Sequence, residues 1–314
     1  MHASLSFTAT AFVLFVACGS SAARAPVEPI GVVAQAPDGF WERWGDGKAE
    51  IDGYRLTTPR YGQLRRGEAV QIWVTETFTG AQRVKSDGGH PDEYPVLKLN
   101  DVRHFQTGIY DYHVMGQGFS RIDGRQPLGQ PVKVTLGVQE WCGQIYEEWL
   151  GFPGHYLRAR RSYFDGESAD DRHDVPAGGI LADQAALVAR GLVGTVDGVV
   201  PWVSSLLDQR LLHREPAWTT ATIHRDPAVD ITVPAGAFRA IPVRFDVAEG
   251  TGYTFWVEEA EPHRIVRWER PDGELAELTG SIRTPYWSQN GEGLEKLRAD
   301  LGLGEPSWLG GDPP

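Results

Sequence analysis

Apolar and polar residues alternate at period two, between turn-rich loops, along most of this chain, and that pattern restricts its fold more than any other feature. Val70, Ile72, Val74, Glu76 and Phe78 share one side of a strand, as do Val132, Val134, Leu136 and Val138. The spacing predicts strands over 49–57, 69–78, 96–100, 108–115, 132–146 and 156–164. Gly80, Gly88-Gly89, Pro91, Gly124, Pro127 and the run Gly151-Phe152-Pro153-Gly154 mark the loops between them.

An acidic loop is expected over 165–179, followed by a helical stretch over 180–213. Leu181, Leu187, Val188, Leu192, Trp202, Leu206, Leu207, Leu211 and Leu212 supply its apolar residues. Gly191, Gly194, Gly198 and Pro201 divide it into two helices, with Pro201 near the first turn of the second. Strands resume at 218–225, 229–233, 238–247, 251–258, 264–270 and 274–283, and a short helix is expected over 294–301. Strands, then helices, then strands, without βα alternation, exclude a doubly wound parallel sheet. The expected class is α+β, mainly antiparallel β: a curved sheet or half-barrel with the central helical segment packed on it. One large domain, 39–290, precedes a tail, 291–314.

Residues 1–17 contain no Asp, Glu, Lys or Arg, and the run from Phe12 to Ala17 is continuously apolar. A run this short does not span a bilayer core, which takes about 20 apolar residues, so the segment reads as a cleavable export signal. Phe15-Val16-Ala17-Cys18-Gly19 resembles the lipobox of bacterial lipoproteins. The resemblance implies lipid on Cys18 and an exported chain held at a membrane in the periplasm or at the cell surface, with the outer membrane favoured. An ordinary secretory signal cut after Ala22 or Ala23 is the alternative. Residues 18–38, small, polar and Pro-containing, read as a flexible tether. The sequence has 2 cysteines, so lipid on Cys18 leaves Cys142 without an intramolecular partner.

The net charge of −12 argues against nucleic acid as an electrostatic partner. Membrane attachment is expected through the N-terminal lipid, with a lipophilic ligand or an envelope protein as a further partner. No cofactor is implied. Most of the 11 tryptophans are expected in the core or on strand faces.

Two further resemblances are carried by motifs. Tyr94-Pro95-Val96-Leu97-Lys98-Leu99-Asn100, Thr107-Gly108-Ile109-Tyr110-Asp111-Tyr112 and Gln139-Glu140-Trp141-Cys142-Gly143 resemble a family of uncharacterised exported bacterial proteins. Val233-Pro234-Ala235-Gly236-Ala237-Phe238, Tyr253-Thr254-Phe255-Trp256-Val257 and Pro262-His263-Arg264-Ile265-Val266 are similar to the C-terminal strands of LolA/LolB-like half-barrels. That second resemblance implies a sheet curled around helices, with an apolar cavity for acyl chains.

Strand parity supplies the candidate polar site. Glu76 shares a side with Val70, Ile72 and Val74; Glu140 and Cys142 continue the line of Val132 to Val138. A buried carboxylate needs a cation or hydrogen-bond donors. Lys98 is the candidate partner, although its place opposite Leu97 and Leu99 demands a curved sheet or a bulge at Gly137. Asp111 and His113 share a face and are candidates for the same cluster. Glu76, Lys98, His113, Glu140 and Cys142 thus form a candidate polar pocket, with a structural ion-pair network as the competing reading. Cys142 has no spaced histidine that would activate it as a nucleophile. The acidic run Asp165, Glu167, Asp170, Asp171, His173, Asp174 lacks a calcium-loop pattern and reads as solvated loop, so no metal site is expected. Common hydrolase and nucleotide motifs are also missing from the sequence. The balance favours a non-enzymatic lipoprotein binding a lipophilic or envelope component in its curved sheet. The alternatives are an envelope hydrolase using Glu76 and Glu140 as paired carboxylates, and a structural or assembly lipoprotein with only a protein-binding surface.

Overall fold

A computed structural model describes residues 32–248 and 250–304. The described residues begin with β1 (Val33–Gln35) and α1 (Phe40–Trp44), then run through a series of long strands. These are β2 (Ala49–Arg60), β3 (Gln63–Phe78), β4 (Tyr94–Thr107), β5 (Tyr110–Arg121), β6 (Asp123–Pro127), β7 (Lys133–Glu140), β8 (Gly143–Phe152), β9 (His155–Ser162) and β10 (Ala169–Asp174). The middle of the chain holds β11 (Ile180–Leu181), a 3₁₀ turn (Ala182–Gln184), α2 (Ala185–Arg190), β12 (Gly198–Val203) and α3 (Leu206–Leu212). Strands follow as β13 (Trp218–Arg225), β14 (Val229–Val233), β15 (Gly236–Val247), β16 (Tyr253–Glu258), β17 (Ile265–Glu269) and β18 (Leu275–Thr284). Two 3₁₀ segments, Tyr286–Ser288 and Glu295–Leu301, are the last elements among the described residues.

One mainly antiparallel sheet runs in the order β10-β9-β8-β7-β5-β4-β3-β2-β18-β17-β16-β15-β13-β12-β11, with β14 on the side of β15. Only the short β11–β12 pair in it is parallel. β10 and β11 are the ends of this order, so the curled sheet is open rather than a closed barrel. β1 pairs with β6 apart from it. Hairpin chemistry drives the long first half: Tyr61-Gly62, at φ of 54° and 70°, joins β2 to β3 through the positive-φ geometry that matches strand twist.

The concave side is filled. Ala182, Ala185, Ala186, Leu187, Val188 and Ala189 form a plug of small and branched side chains against Trp73, Leu97, Leu99, Phe255 and Trp268. α3 adds Leu206 to a second cluster with Phe105, Tyr112, Val134, Leu136 and Val138. Arg190 ties down one end of the plug through Glu50 at 2.7 Å and the carbonyls of Pro262 and His263. Gln184 ties the other to Ser120. Gly118 leaves the room for Gln184, because a Cβ there would strike its amide nitrogen.

Several expected elements form differently. The stretch 132–146 is a hairpin, β7 and β8, turning at Trp141-Cys142 without the Asn-Gly or Asp-Gly signal that marks such turns. Pro201 lies in β12, not at a helix start, so helix within 180–213 is limited to Ala182–Arg190 and Leu206–Leu212. The acidic run is not a loop throughout: β10 lies within it, and its charged side chains suit an exposed sheet edge. β1 falls inside the stretch read as tether, with Ala34 buried in the core. The short helix expected at 294–301 is present as the 3₁₀ segment Glu295–Leu301.

The face assigned from parity is the largest difference. Trp73 and Gln71 point inward, whereas Val70, Ile72 and Val74 point outward beneath Leu301, Leu303 and Tyr286. The sheet here is apolar on both sides because the C-terminal segment covers its convex face. Gly53 and Gly280 pair across β2 and β18, and a Cβ on either would run into the backbone of Asp300 or Leu301. Gly280→Val is therefore expected to cost about 1–3 kcal/mol through overpacking and to expose the C-terminal segment to proteolysis before the rest of the domain. Equal cleavage rates in the two proteins would refute that dependence.

Candidate functional site

Glu76 and Lys98 meet on the convex face. Lys98 pairs with Val74 in register, which places its ammonium diagonally beside Glu76, and Nζ donates to Oε1 at 2.6 Å. No bulge is required, because both residues face outward with Val74 while Leu97 and Leu99 point into the core. Lys85, from the loop between β3 and β4, approaches the same carboxylate at 3.7 Å. Around the pair lies a groove of about 420 Å³, within the usual size range of ligand sites.

The groove is built from distant pieces of chain. β5 and β7 provide Gln117, Phe119, Lys133 and Thr135 as its floor; β8 provides Tyr146; the 80–93 loop provides Arg83, Val84 and Lys85; and Tyr286 and Trp287 close one side. Lys133 pairs with Glu148 at 2.7 Å, and the Tyr146 hydroxyl donates to the same carboxylate at 3.2 Å. Half-burial, with Glu148 beside it, pushes the Tyr146 phenol up to about 12. Trp287 and Tyr146 are half exposed, at 50% and 48%, so ring faces remain open to a ligand. Parity along β3 points to Glu76, and the need to neutralise its carboxylate points to Lys98; neither points to Tyr286 and Trp287, whose contribution depends on the C-terminal segment folding back over the sheet.

The other candidates lie elsewhere. His113 is on the convex face but beside His104, with Asp111 at 2.9 Å. It pairs with Gln139, six positions along β5 from Phe119 in the groove, or about 20 Å. Glu140 points inward, where Arg210 of α3 comes within 3.8 Å. Cys142 sits in the exposed hairpin turn, and its hydrogen bond with Glu140 pushes the thiol up, away from the reactive thiolate. Glu76 and Glu140 cannot act as paired carboxylates. Glu140 projects across Tyr112 and Phe105 to Gly67, nine residues along β3 from Glu76, or about 30 Å, on the opposite face. A glycosidase pair stands about 5–9.5 Å apart.

The concave side carries a different chemistry from the expected acyl cavity. The space beside the plug is about 70 Å³, and polar groups of Gln71, Asp101, Arg103, Asp183, Ser205, Tyr253 and Arg270 line it alongside apolar walls. Arg103 bonds Asp101 at 2.8 Å and Glu274 at 3.1 Å; Arg270 bonds Asp208 at 2.6 Å. Trp268 and Thr58 donate to Glu274, and Tyr253 donates to Asp208. Burial pushes the Asp183 carboxyl up to about 7, against the Leu206 N–H that it accepts. A space this small and polar suits ordered water rather than a lipid tail.

The acidic strand is likewise structural. Asp171 pairs with Arg158 and Asp170 with Arg161, each at 2.8 Å. Among the described residues no group of three or more His, Cys, Asp or Glu side chains is placed to hold a metal ion. No described helix is long and apolar enough to cross a membrane. Cys18 lies outside the described residues.

No family model and no curated protein matches the chain. Among solved structures, the crystal structure of a beta-barrel-like protein of the domain of unknown function DUF1849 from Brucella abortus is similar, at 9% identity. That match covers 77% of this chain and 98% of the other at a TM-score of 0.42, too slight a likeness to carry anything to this chain.

Proposed function

We propose that this chain is a non-catalytic binding lipoprotein of the cell envelope, anchored by lipid on Cys18, whose convex-face groove holds an envelope component. The groove of Glu76, Lys98, Tyr146 and Trp287 carries the reading, since it joins open aromatic faces to charged groups at ligand-site dimensions. The filled concave side supports a ligand site on the outside of the sheet over one on the inside. The stretch between Cys18 and Val32 reaches at most about 50 Å, which leaves the domain within reach of polymers close to the membrane.

Expression of the full chain in a bacterial host with an alkyne fatty acid tests both halves. The wild type should take up label and sediment with membranes, and Cys18→Ser should lose both properties. The purified mature domain should co-sediment with an envelope polymer fraction, and Trp287→Ala should reduce that several-fold, as loss of one aromatic contact would. Label that persists on the Cys18→Ser protein would remove the anchor, and co-sedimentation indifferent to Trp287 would remove the groove.

A further inference from the structure

Within a chain of net charge −12, the groove is a local island of opposite sign. Arg83, Lys85, Lys98 and Lys133 line it against Glu76, with Glu148 beyond Lys133, so cations outnumber carboxylates there. We propose that the groove selects an anionic saccharide; this rests on the groove being the binding site proposed above.

Charge balance comes first. Glu76 is shared by Lys98 at 2.6 Å and Lys85 at 3.7 Å, so one carboxylate serves two ammonium groups. Lys98 is held in place by that bond and by burial, at 11% side-chain exposure, while Lys85 is 67% exposed and free to turn toward a ligand. An anionic substituent over the pair supplies the missing negative charge. A cationic ligand would face Lys85, Lys98 and Lys133 together. Lys98 and Lys133, at 11% and 16% side-chain exposure, are shielded from water, so their charges act more strongly than those on an open surface.

Ring placement narrows the class. Trp287 and Tyr146 enter the groove from the C-terminal segment and from β8, each half exposed, and Tyr286 packs edge-on to Trp287 at 5.4 Å. Half-exposed Trp and Tyr present an apolar face beside a polar edge, which suits a ligand that is itself apolar on one face and hydroxylated at its rim. A sugar ring has that character, whereas an acidic peptide offers charge without the flat C–H face. Gln117 adds neutral hydrogen-bonding capacity: its amide donates to Asn100 and its oxygen accepts from Thr135, which holds the side chain in one orientation on the floor. Single-stranded nucleic acid also combines stacking with negative charge. Its long phosphate backbone would meet the acidic remainder of the surface, so a short acidic glycan segment is the better match.

The mature protein, titrated by tryptophan fluorescence at low and moderate salt, decides the matter. The probes are oligogalacturonate, a phosphorylated oligomannose, neutral dextran, polyglutamate and single-stranded DNA. Binding of either acidic saccharide but not of dextran, weakening with salt, supports the assignment, and the preferred member distinguishes a carboxylate from a phosphate source. Trp287→Ala should weaken that binding by about three- to tenfold. Lys85→Gln, an exposed position that leaves the Lys98–Glu76 bond intact, should weaken it by about two- to fivefold and flatten the salt dependence. Equal binding of dextran would overturn the anionic element, and equal binding of polyglutamate or DNA would overturn the saccharide. If no probe binds while Trp287-dependent co-sedimentation with the envelope fraction persists, the ligand class is wrong and the groove reading stands. If neither occurs, the groove reading itself falls.

Discussion

Replacing Arg103 with methionine is expected to lower the unfolding free energy by about 3–5 kcal/mol, the usual cost of removing one partner from a buried ion pair. The Arg103 guanidinium lies inside the curled sheet, bonded to Asp101 and to both oxygens of Glu274. Methionine keeps much of the aliphatic stem and removes the charge, so Glu274, itself 4% exposed, loses its nearest cation. Burial alone would push the Glu274 carboxyl up; Arg103, Arg270 and the donors Trp268 and Thr58 instead hold it below the usual range. A carboxylate held low stabilises the fold above its unfolded-state pKa and loses that contribution as pH falls through the folded value. The gap between wild type and Arg103→Met should therefore be widest near neutral pH and narrow in acid. Denaturant unfolding at a series of pH values measures both features. A loss below about 1 kcal/mol, or a gap that stays constant down to the acid limb, would show that Arg103 contributes packing rather than charge.

Asp183→Asn should act in the other direction, raising stability at pH 8 by up to about 4 kcal/mol, the linkage free energy of a carboxyl raised to about 7 in the folded state. Asp183 is partly buried where the plug meets α3, and desolvation there, reinforced by Asp208 and Glu147, pushes it up to about 7. A carboxyl with a raised folded pKa binds more protons in the folded state, so the wild type loses this part of its stability as pH rises from about 4 to about 7. Asparagine retains an oxygen for the Leu206 N–H and never ionises, so this slope should vanish in the variant. Asp52 is also raised to about 7, by burial first and then by Glu50, and will leave a residual slope of the same sign. The two proteins should converge below about pH 4. A variant less stable than wild type at pH 8 would mean that the charge at the N-terminus of α3 outweighs its desolvation.

The groove explains why strand parity found part of a site and missed the rest. Glu76 is legible because it interrupts an apolar alternation on its strand, and Lys98 because a carboxylate so placed needs a cation. The pattern did not reveal which side of that strand faced the core. β2 and β3 are apolar on both faces, and only Leu301 and Leu303, lying over Val74, identify the convex side. Glu140 illustrates the same limit. It follows Val138 inward as its parity requires, yet meets Arg210 rather than Glu76, because α3 enters that end of the sheet.

Periodicity by itself determined that this chain forms strands, roughly where they run, and that they form an antiparallel sheet interrupted by a helical segment. β14 was predicted at 229–233 and forms as Val229–Val233. A two-residue repeat is a local property and survives in the sequence. Tertiary structure alone decided that 132–146 turns back on itself, that Gly198–Val203 is drawn into the sheet by pairing with β13, and that the concave side closes around a plug instead of a cavity. It also brought Arg103 to Glu274 across 171 positions of chain and Trp287 to the rim of a groove floored by β5 and β7. Those outcomes depend on which surfaces compete for the same neighbours, and alternation specifies a face without specifying what will cover it.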